Sequence, residues 1–126
     1  MNDQQIEQEI QAKGLTAPRV TPEDVEANIV SEHYFTAEQG DQQAQEDLHD
    51  GRSVQPTLNP LALLTFCVLV LRNGVPVTGE SVCASPENFD AELGRKIARQ
   101  NAINKIWPLM GYELRSAIHA AEEACR

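Results

Sequence analysis

The chain has 126 residues, a formal net charge of −9 and 41% apolar residues. This size supports one domain with a modest core, and such a domain gains stability from self-association. The acidic total argues against binding to nucleic acid polymers, because that binding depends on many contacts between cations and phosphates. Residues 1–60 hold twelve acidic and three basic side chains, whereas residues 85–126 hold six of each. A small anionic ligand held by a few arginines is compatible with this distribution.

Several classes of protein are disfavoured by simple absences in the sequence. No basic segment followed by an apolar stretch opens the chain, so we expect no signal peptide. The longest apolar run, Leu61–Leu71, spans about eleven residues, whereas a membrane helix needs about 20. Cys67, Cys83 and Cys125 form no CxxC pair and have no zinc-type spacing to histidines. We therefore expect a cytoplasmic protein without membrane contact, metal or cofactor, and with its cysteines as ordinary thiols.

The first 35 residues are predicted to form short N-terminal helices. Asp3 can cap a first segment, which Gly14 ends. Thr21 followed by Pro22 and two acidic residues is a strong start signal for a second helix. The aromatic stretch His33-Tyr34-Phe35 is expected to dock this helix on the core, although Tyr34 or His33 could instead line a site.

Residues 36–57 are predicted to be an acidic mobile loop. The segment is rich in Gln, Glu, Asp and Gly, and its only apolar residues are Ala37, Ala44, Leu48 and Val54. Such a composition buries too little apolar surface to offset the entropy lost on ordering. Ordering of this loop over a bound ligand is the alternative.

A β-hairpin is predicted around Asn73-Gly74, because Asn-Gly between two β-branched runs is typical of a two-residue type I′ turn. That turn would pair residues whose numbers sum to 147, so that Val70 faces Val77 and Cys67 faces Glu80. In this register Cys67 and Cys83 lie out of line and on opposite faces, so we expect no disulfide between them.

The first strand of this hairpin, within Leu61–Leu71, is apolar on both faces. A strand of this kind has to be covered on both sides. The long C-terminal helix can cover one face, and the N-terminal helices or a second subunit can cover the other. We therefore predict a homo-oligomer, at least a dimer, with the hairpin or the long helix at its interface.

Residues 88–111 are predicted to form one long helix. Its apolar stripe recurs at helical spacing and consists of Phe89, Leu93, Ile97, Ala98, Ala102 and Ile106. Asn88 is the expected N-cap, and Pro108 is expected to end or kink the helix. The predicted fold is therefore a single α+β domain over residues 1–126, in which residues 58–126 form a core of an antiparallel β-hairpin or small sheet packed on a long C-terminal helix.

No motif in the sequence indicates catalysis. It has no Gly-rich phosphate loop, no HExxH and no nucleophile with a base at a recognisable spacing, so we expect a protein that is not an enzyme. Arg95 and Arg99 lie one helical turn apart and can converge on one phosphate. The alternative is a solvated face on which Arg95 pairs with Glu92. The candidate ligand-binding residues are Phe89, Arg95, Arg99, Asn101, Lys105 and Arg115.

A series of short motifs between Asn73 and Leu114 resembles a family of small proteins encoded by tailed phages and prophages. The motifs are Asn73-Gly74, Gly79-Glu80-Ser81, Asn88-Phe89-Asp90, Gly-x-x-x-Ala from Gly94 to Ala98, Asn101-Ala102, Ile106-Trp107 and Gly111-Tyr112. They cover about a third of the chain, and they are specific as a combination.

The hairpin-plus-helix layout is also similar to the first-described class of anti-Thoeris phage proteins. Those proteins are non-enzymatic sponges, built from dimers, that sequester cyclic ADP-ribose isomers and in some cases cyclic oligonucleotides. The resemblance implies a phage-derived protein that sequesters a small phosphorylated nucleotide signal in the host bacterial cytoplasm and so counters host defence. The alternative is a phage accessory protein that binds another protein through its acidic half and has no small-molecule ligand.

Overall fold

The computed structural model describes residues 2–48 and 59–126. The helices are α1 (Asp3–Ala12), α2 (Pro22–Ala27), α3 (Ala37–Leu48), α4 (Asn59–Ala62) and α5 (Ala91–Ala124). The strands are β1 (Ile29–Thr36), β2 (Leu64–Leu71) and β3 (Pro76–Val82), and a 3₁₀ turn covers Pro86–Asn88.

The strands form an antiparallel sheet in the order β1-β2-β3, and α5 packs across one face of it. The side chains of β2 alternate, so that its odd-numbered residues are buried under α5 and its even-numbered residues are half-buried on the other face. The buried core consists of Val25, Cys67, Leu69, Leu71, Val77, Ala98, Ala102, Ile103 and Ile106. This arrangement confirms the predicted α+β fold.

The contact between α5 and β3 depends on the absence of a side chain at Gly79. A Cβ atom at this position would lie 2.1 Å from the Ala98 carbonyl oxygen and 2.3 Å from the Ala102 nitrogen. On the helix, Ala98 and Ala102 are both fully buried. Gly94, one turn earlier on the helix, lies over Thr65 of β2. A Cβ atom at this position would lie 3.3 Å from Thr65 Oγ1. The Gly79-Glu80-Ser81 and Gly94-to-Ala98 motifs are therefore the two sides of one helix–sheet contact.

The predicted register of the hairpin is wrong by one residue. Cys67 lies opposite Gly79 instead of Glu80, and Val70 lies opposite Pro76 instead of Val77. The turn has one residue more than a type I′ turn. The N–H of Leu71 donates to the Val75 carbonyl, so the loop between these two residues consists of residues 72–74. Within the loop, the N–H of Gly74 donates to the Leu71 carbonyl. Gly74 has φ +90°, which is the positive value that a three-residue loop of this kind requires.

Cys67 and Cys83 are free thiols, as predicted. The predicted placement of the two thiols on opposite faces is wrong, because the observed register puts both on the same side of the pleat. They are kept apart instead by distance along the strand, since Gly79, which faces Cys67, is four residues from Cys83. Four residues of extended strand span about 13 Å, which is far beyond disulfide reach.

The prediction that residues 1–35 are helical is wrong from Ile29 onward. The second helix begins as expected, with Thr21 accepting from the Asp24 N–H and Pro22 in the first position, but it ends at Ala27. The chain then runs as strand β1, which pairs with β2 from Ile29 to Thr36. The first helix is capped by Asn2 and not by Asp3.

Residues 37–48 form helix α3, so the prediction of a mobile loop is wrong there; residues 49–57 lie outside the described part of the chain. Thr36 and Gln39 bond reciprocally through side chain and backbone, which satisfies free N–H groups at the helix start. Gln43 and Asp47 form a side-chain hydrogen bond one turn apart. Because Gly40 packs against the ring of Phe35, α3 covers part of the outer face of the sheet, where another subunit or the N-terminal helices were expected.

Helix α5 begins later and ends later than predicted. Its N-cap is Asp90, which accepts from the Leu93 N–H, whereas Asn88 belongs to the preceding 3₁₀ turn. The helix also continues through Pro108 to Ala124. A proline at this position removes only the hydrogen bond to the Asn104 carbonyl, and both residues are exposed, so water can satisfy that carbonyl.

Candidate functional site

Two of the predicted ligand-binding residues, Phe89 and Arg95, line one cavity of about 230 Å³. The cavity lies where the end of β1 and the start of α3 meet the first turns of α5. It is lined by Tyr34, Phe35, Thr36, Gln39, Thr65, Phe89, Ala91 and Arg95. We call it the Arg95 pocket. The sequence interpretation missed the contribution of β1 because it took that segment for a helix end, although it had weighed Tyr34 as a site residue.

Arg95 gives this pocket its charge. It is exposed, and among the residues that the structure describes no carboxylate lies within ion-pair distance of it. Glu92, the partner expected on a merely solvated face, instead accepts from Lys96 at 3.3 Å. The other described residues that line the cavity are uncharged. The pocket therefore presents one guanidinium that is free to donate two parallel hydrogen bonds to an anion.

Aromatic side chains supply the walls beside that guanidinium. Phe89 is 36% exposed, and Tyr34, which lies opposite Cys67 on the α5 side of the sheet, is half-buried. The ring of Phe35 packs instead on the outer face of the sheet, where its centroid lies 5.6 Å from that of Phe66, so it does not stand beside Arg95. Large aromatic side chains that stay partly open to solvent are suited to contact with a planar ring. A cation next to such surfaces matches an aromatic ligand that carries a phosphate.

Tyr34 is held in one orientation at the base of the pocket, because its hydroxyl donates to Glu32 Oε1 at 2.8 Å. Burial and this hydrogen bond raise the pKa of Tyr34 well above its usual value, so the phenol stays protonated at neutral pH. It can therefore contribute its ring to a ligand contact, but it cannot serve as a base.

Arg99 lies on the same helix face as Arg95, but its guanidinium is already engaged. It donates to the two carboxylate oxygens of Glu26 at 2.9 and 2.7 Å and to Glu32 Oε1 at 2.7 Å. These bonds lower the pKa of both Glu26 and Glu32 and raise the pKa of Arg99. We call these three residues the Arg99 ion cluster. It ties α5 to α2 and β1, and a phosphate could reach this guanidinium only by displacing a carboxylate.

Asn101 and Lys105 both bond to the edge strand β3. Asn101 Nδ2 donates to the Glu80 carbonyl oxygen at 2.8 Å, and Lys105 Nζ donates to Thr78 Oγ1 at 3.3 Å. Strand edges with free backbone groups invite unwanted pairing with other chains. These two side chains therefore shield the edge that β3 would otherwise expose.

Arg115 is far from the other candidates. Twenty residues separate it from Arg95 along α5, which corresponds to about 30 Å at 1.5 Å per residue. Its guanidinium forms an ion pair with Glu122 at 3.4 Å. Within one chain it cannot contact a small ligand that is bound by Arg95.

His33 and Cys67 do not line the Arg95 pocket. His33 Nε2 lies 3.0 Å from Ser31 Oγ, but no carboxylate in the described ranges 2–48 and 59–126 orients the other ring nitrogen. Burial raises the pKa of Cys67, which makes this thiol a poor nucleophile. Over the same ranges, no three His, Cys, Asp or Glu residues come together as metal ligands would. The Arg95 pocket itself offers groups that can bind an anion and an aromatic ring.

No described helix combines the length and the apolar character needed to cross a bilayer. Comparison with curated proteins and with solved structures finds no significant match in either group. A family model, in contrast, matches residues 20–118, which include the sheet, the Arg95 pocket and most of α5. This match spans more than three quarters of the sequence and shows that the chain belongs to the phage protein (N4 Gp49/phage Sf6 gene 66) family.

Proposed function

We propose that this phage protein binds a small phosphorylated nucleotide in the Arg95 pocket and withholds it from solution without converting it. The observation that carries the proposal is the guanidinium of Arg95, unpaired among the described residues, beside the aromatic side chains of Phe89 and Tyr34. The resemblance to sponge proteins narrows the ligand to a cyclic ADP-ribose isomer or a cyclic oligonucleotide. In that role the protein would act in the host bacterial cytoplasm against a defence signal.

The chemistry of the pocket can supply useful affinity. A charge-assisted hydrogen bond from Arg95 to a phosphate contributes about 1.5–3 kcal/mol. Stacking of a base on an aromatic side chain contributes about 1–3 kcal/mol. The cavity of about 230 Å³ is smaller than the roughly 300–1,000 Å³ that encloses a whole drug-sized ligand. We therefore expect one base and its adjacent phosphate to enter, while the rest of the nucleotide stays at the surface.

Calorimetry with cyclic ADP-ribose isomers and with cyclic di- and trinucleotides tests the proposal. Replacing Arg95 by alanine should weaken binding by roughly ten- to a hundredfold, because about 1.4 kcal/mol corresponds to a factor of ten. Phe89→Ala should weaken it by a similar factor through lost stacking. Lys96→Ala is the matched control, since this neighbouring cation is paired with Glu92 and does not line the cavity.

We expect Arg95, and not Arg99, to contribute most to the affinity for a phosphate, because Arg99 is already paired with Glu26 and Glu32. If no nucleotide in the panel binds with a dissociation constant below about 100 µM, the proposal is wrong. The alternative hypothesis, an accessory protein that acts by binding another protein, would then replace it. Equal loss of binding in Lys96→Ala and Arg95→Ala would also contradict it, since it would indicate general electrostatic attraction and not a pocket.

A further inference from the structure

Helix α5 extends well past the body of the protein. Its 34 residues span about 50 Å, whereas the eight residues of β2 span about 27 Å. The last α5 residue that packs on the core is Met110. From residue 111 onward the helix has no fully buried residue, and Leu114 and Ile118 are half-buried. We call residues 111–124 the distal arm.

The distal arm is poorly suited to exist as a lone helix. It begins at Gly111, three residues after Pro108. Proline and glycine are the two residue types with the lowest helix propensity. In proteins most helical stability comes from packing of an amphipathic face, so a helix end without such a contact gains little stability. The arm nevertheless carries an apolar stripe that continues the core-facing side of Trp107 and Met110. Its members are Leu114, Ala117, Ile118 and Ala121.

The charges beside this stripe indicate what covers it. Arg115 and Glu122 lie seven residues apart, and therefore on the same flank of the helix. In an antiparallel pair of helices the equivalent flanks of the two chains meet. Arg115 of each copy then faces Glu122 of the other, with the two-fold axis close to Ile118. A parallel pair brings unlike flanks together and does not form these ion pairs.

We propose that the distal arms of two copies pack antiparallel through this stripe, with reciprocal ion pairs between Arg115 and Glu122. Within one chain these groups are 3.4 Å apart and their side chains are 63% and 54% exposed. A pair so open to water contributes little inside the monomer, so it can be exchanged for the intermolecular pair. Self-association through this surface does not depend on the identity of any ligand.

Sedimentation equilibrium across a concentration series of the full chain tests this arrangement. Ile118→Glu places a charge on the two-fold axis and should convert the dimer to monomer at 100 µM protein or below. Ser116→Glu is the matched control, because Ser116 is exposed and lies on the opposite side of the helix. Both replacements are at exposed or half-buried positions outside the core, so circular dichroism should show a folded body in each.

Charge reversal distinguishes the antiparallel pairing from other dimers. Arg115→Glu alone and Glu122→Arg alone should each raise the dimer dissociation constant by about tenfold, because each creates two like-charge contacts per dimer. The double variant should return to within about threefold of the unaltered protein. A monomeric unaltered protein at 100 µM, a dimer that tolerates Ile118→Glu, or a double variant as weak as the single ones would each overturn the proposal.

Discussion

Replacement of Gly79 by alanine is expected to be one of the most damaging single-methyl changes in the protein. The added Cβ would lie 2.1 Å from the Ala98 carbonyl oxygen and 2.3 Å from the Ala102 nitrogen. Non-bonded heavy atoms sit favourably at roughly 3.5 Å, so α5 would have to retreat from β3 by about 1 Å. The obstructing atoms belong to the helix backbone, and no side-chain rotation can relieve the contact.

The cost follows from that retreat. Overpacking of a core typically costs about 1–3 kcal/mol, and a shift of the whole helix also opens gaps around the fully buried Cys67 and Ile106. We expect the free energy of unfolding to fall by about 3 kcal/mol or more. For a chain of this length that corresponds to a drop of about 12 °C in Tm.

Thermal and urea unfolding followed by circular dichroism measure this effect, and Gly111→Ala is the matched control. A Cβ at Gly111 meets nothing within 4 Å, and alanine favours a helix interior over glycine by about 0.5–1 kcal/mol. The two Gly-to-Ala replacements should therefore move Tm in opposite directions. A Gly79→Ala variant that loses less than about 1 kcal/mol would refute the proposed close packing of α5 on β3.

Two further predictions concern the ion cluster and the thiols. Arg99→Met should lower the free energy of unfolding at pH 7 by about 1–2 kcal/mol. The expected loss is this small because Glu26 and Glu32 are partly exposed, so that solvent screens their ion pairs with Arg99. Because Arg99 depresses the folded-state pKa of Glu26 and Glu32, the stabilisation is present above the unfolded pKa near 4.5 and is lost as pH falls through the lower folded values. The stability difference between the two proteins should thus shrink as pH falls below about 4.5, and a difference that is constant from pH 7 to 3 would contradict this account. In native protein a thiol reagent should modify the exposed Cys125 rapidly and the buried Cys67 only upon unfolding; mass spectrometry that shows equal rates would contradict the assignment of Cys67 to the core.

The fold class was predictable because its signals are local and strong. The apolar spacing between Phe89 and Ile106 indicated the long helix, and Asn73-Gly74 between two β-branched runs indicated the hairpin. The register was not predictable from these residues alone. A two-residue and a three-residue loop both accept Asn-Gly, and only the hydrogen bond from the Leu71 N–H to the Val75 carbonyl selects the longer one.

The errors in the first half arise from tertiary context that overrides composition. Helix α3 has no buried residue, and its composition alone indicated a mobile segment. Its helical form depends on the Thr36–Gln39 cap and on packing of Gly40 against Phe35. Strand β1 was missed because Ile29 follows a strong helix start at helical spacing, yet pairing with β2 takes over as soon as α2 ends at Ala27.

The candidate site was predictable in part. Helical spacing correctly placed Arg95 and Arg99 one turn apart, but spacing cannot show which cation meets a carboxylate from a distant segment. Glu26 and Glu32 are 73 and 67 residues away from Arg99, and the fold brings them to its guanidinium. Tyr34 was considered as a site residue from the sequence, but only strand β1 places it in the same cavity as Arg95.

A depletion experiment tests the central claim of nucleotide sequestration most directly. The protein is mixed with an equimolar amount of the nucleotide that binds in calorimetry, the free ligand is separated by ultrafiltration, and the bound ligand is then released by heat and identified by mass spectrometry. We expect the free nucleotide to be depleted by the unaltered protein, to remain in solution with Arg95→Ala, and to be recovered chemically unchanged. An undiminished free concentration, or recovery of a hydrolysed product, would contradict the account.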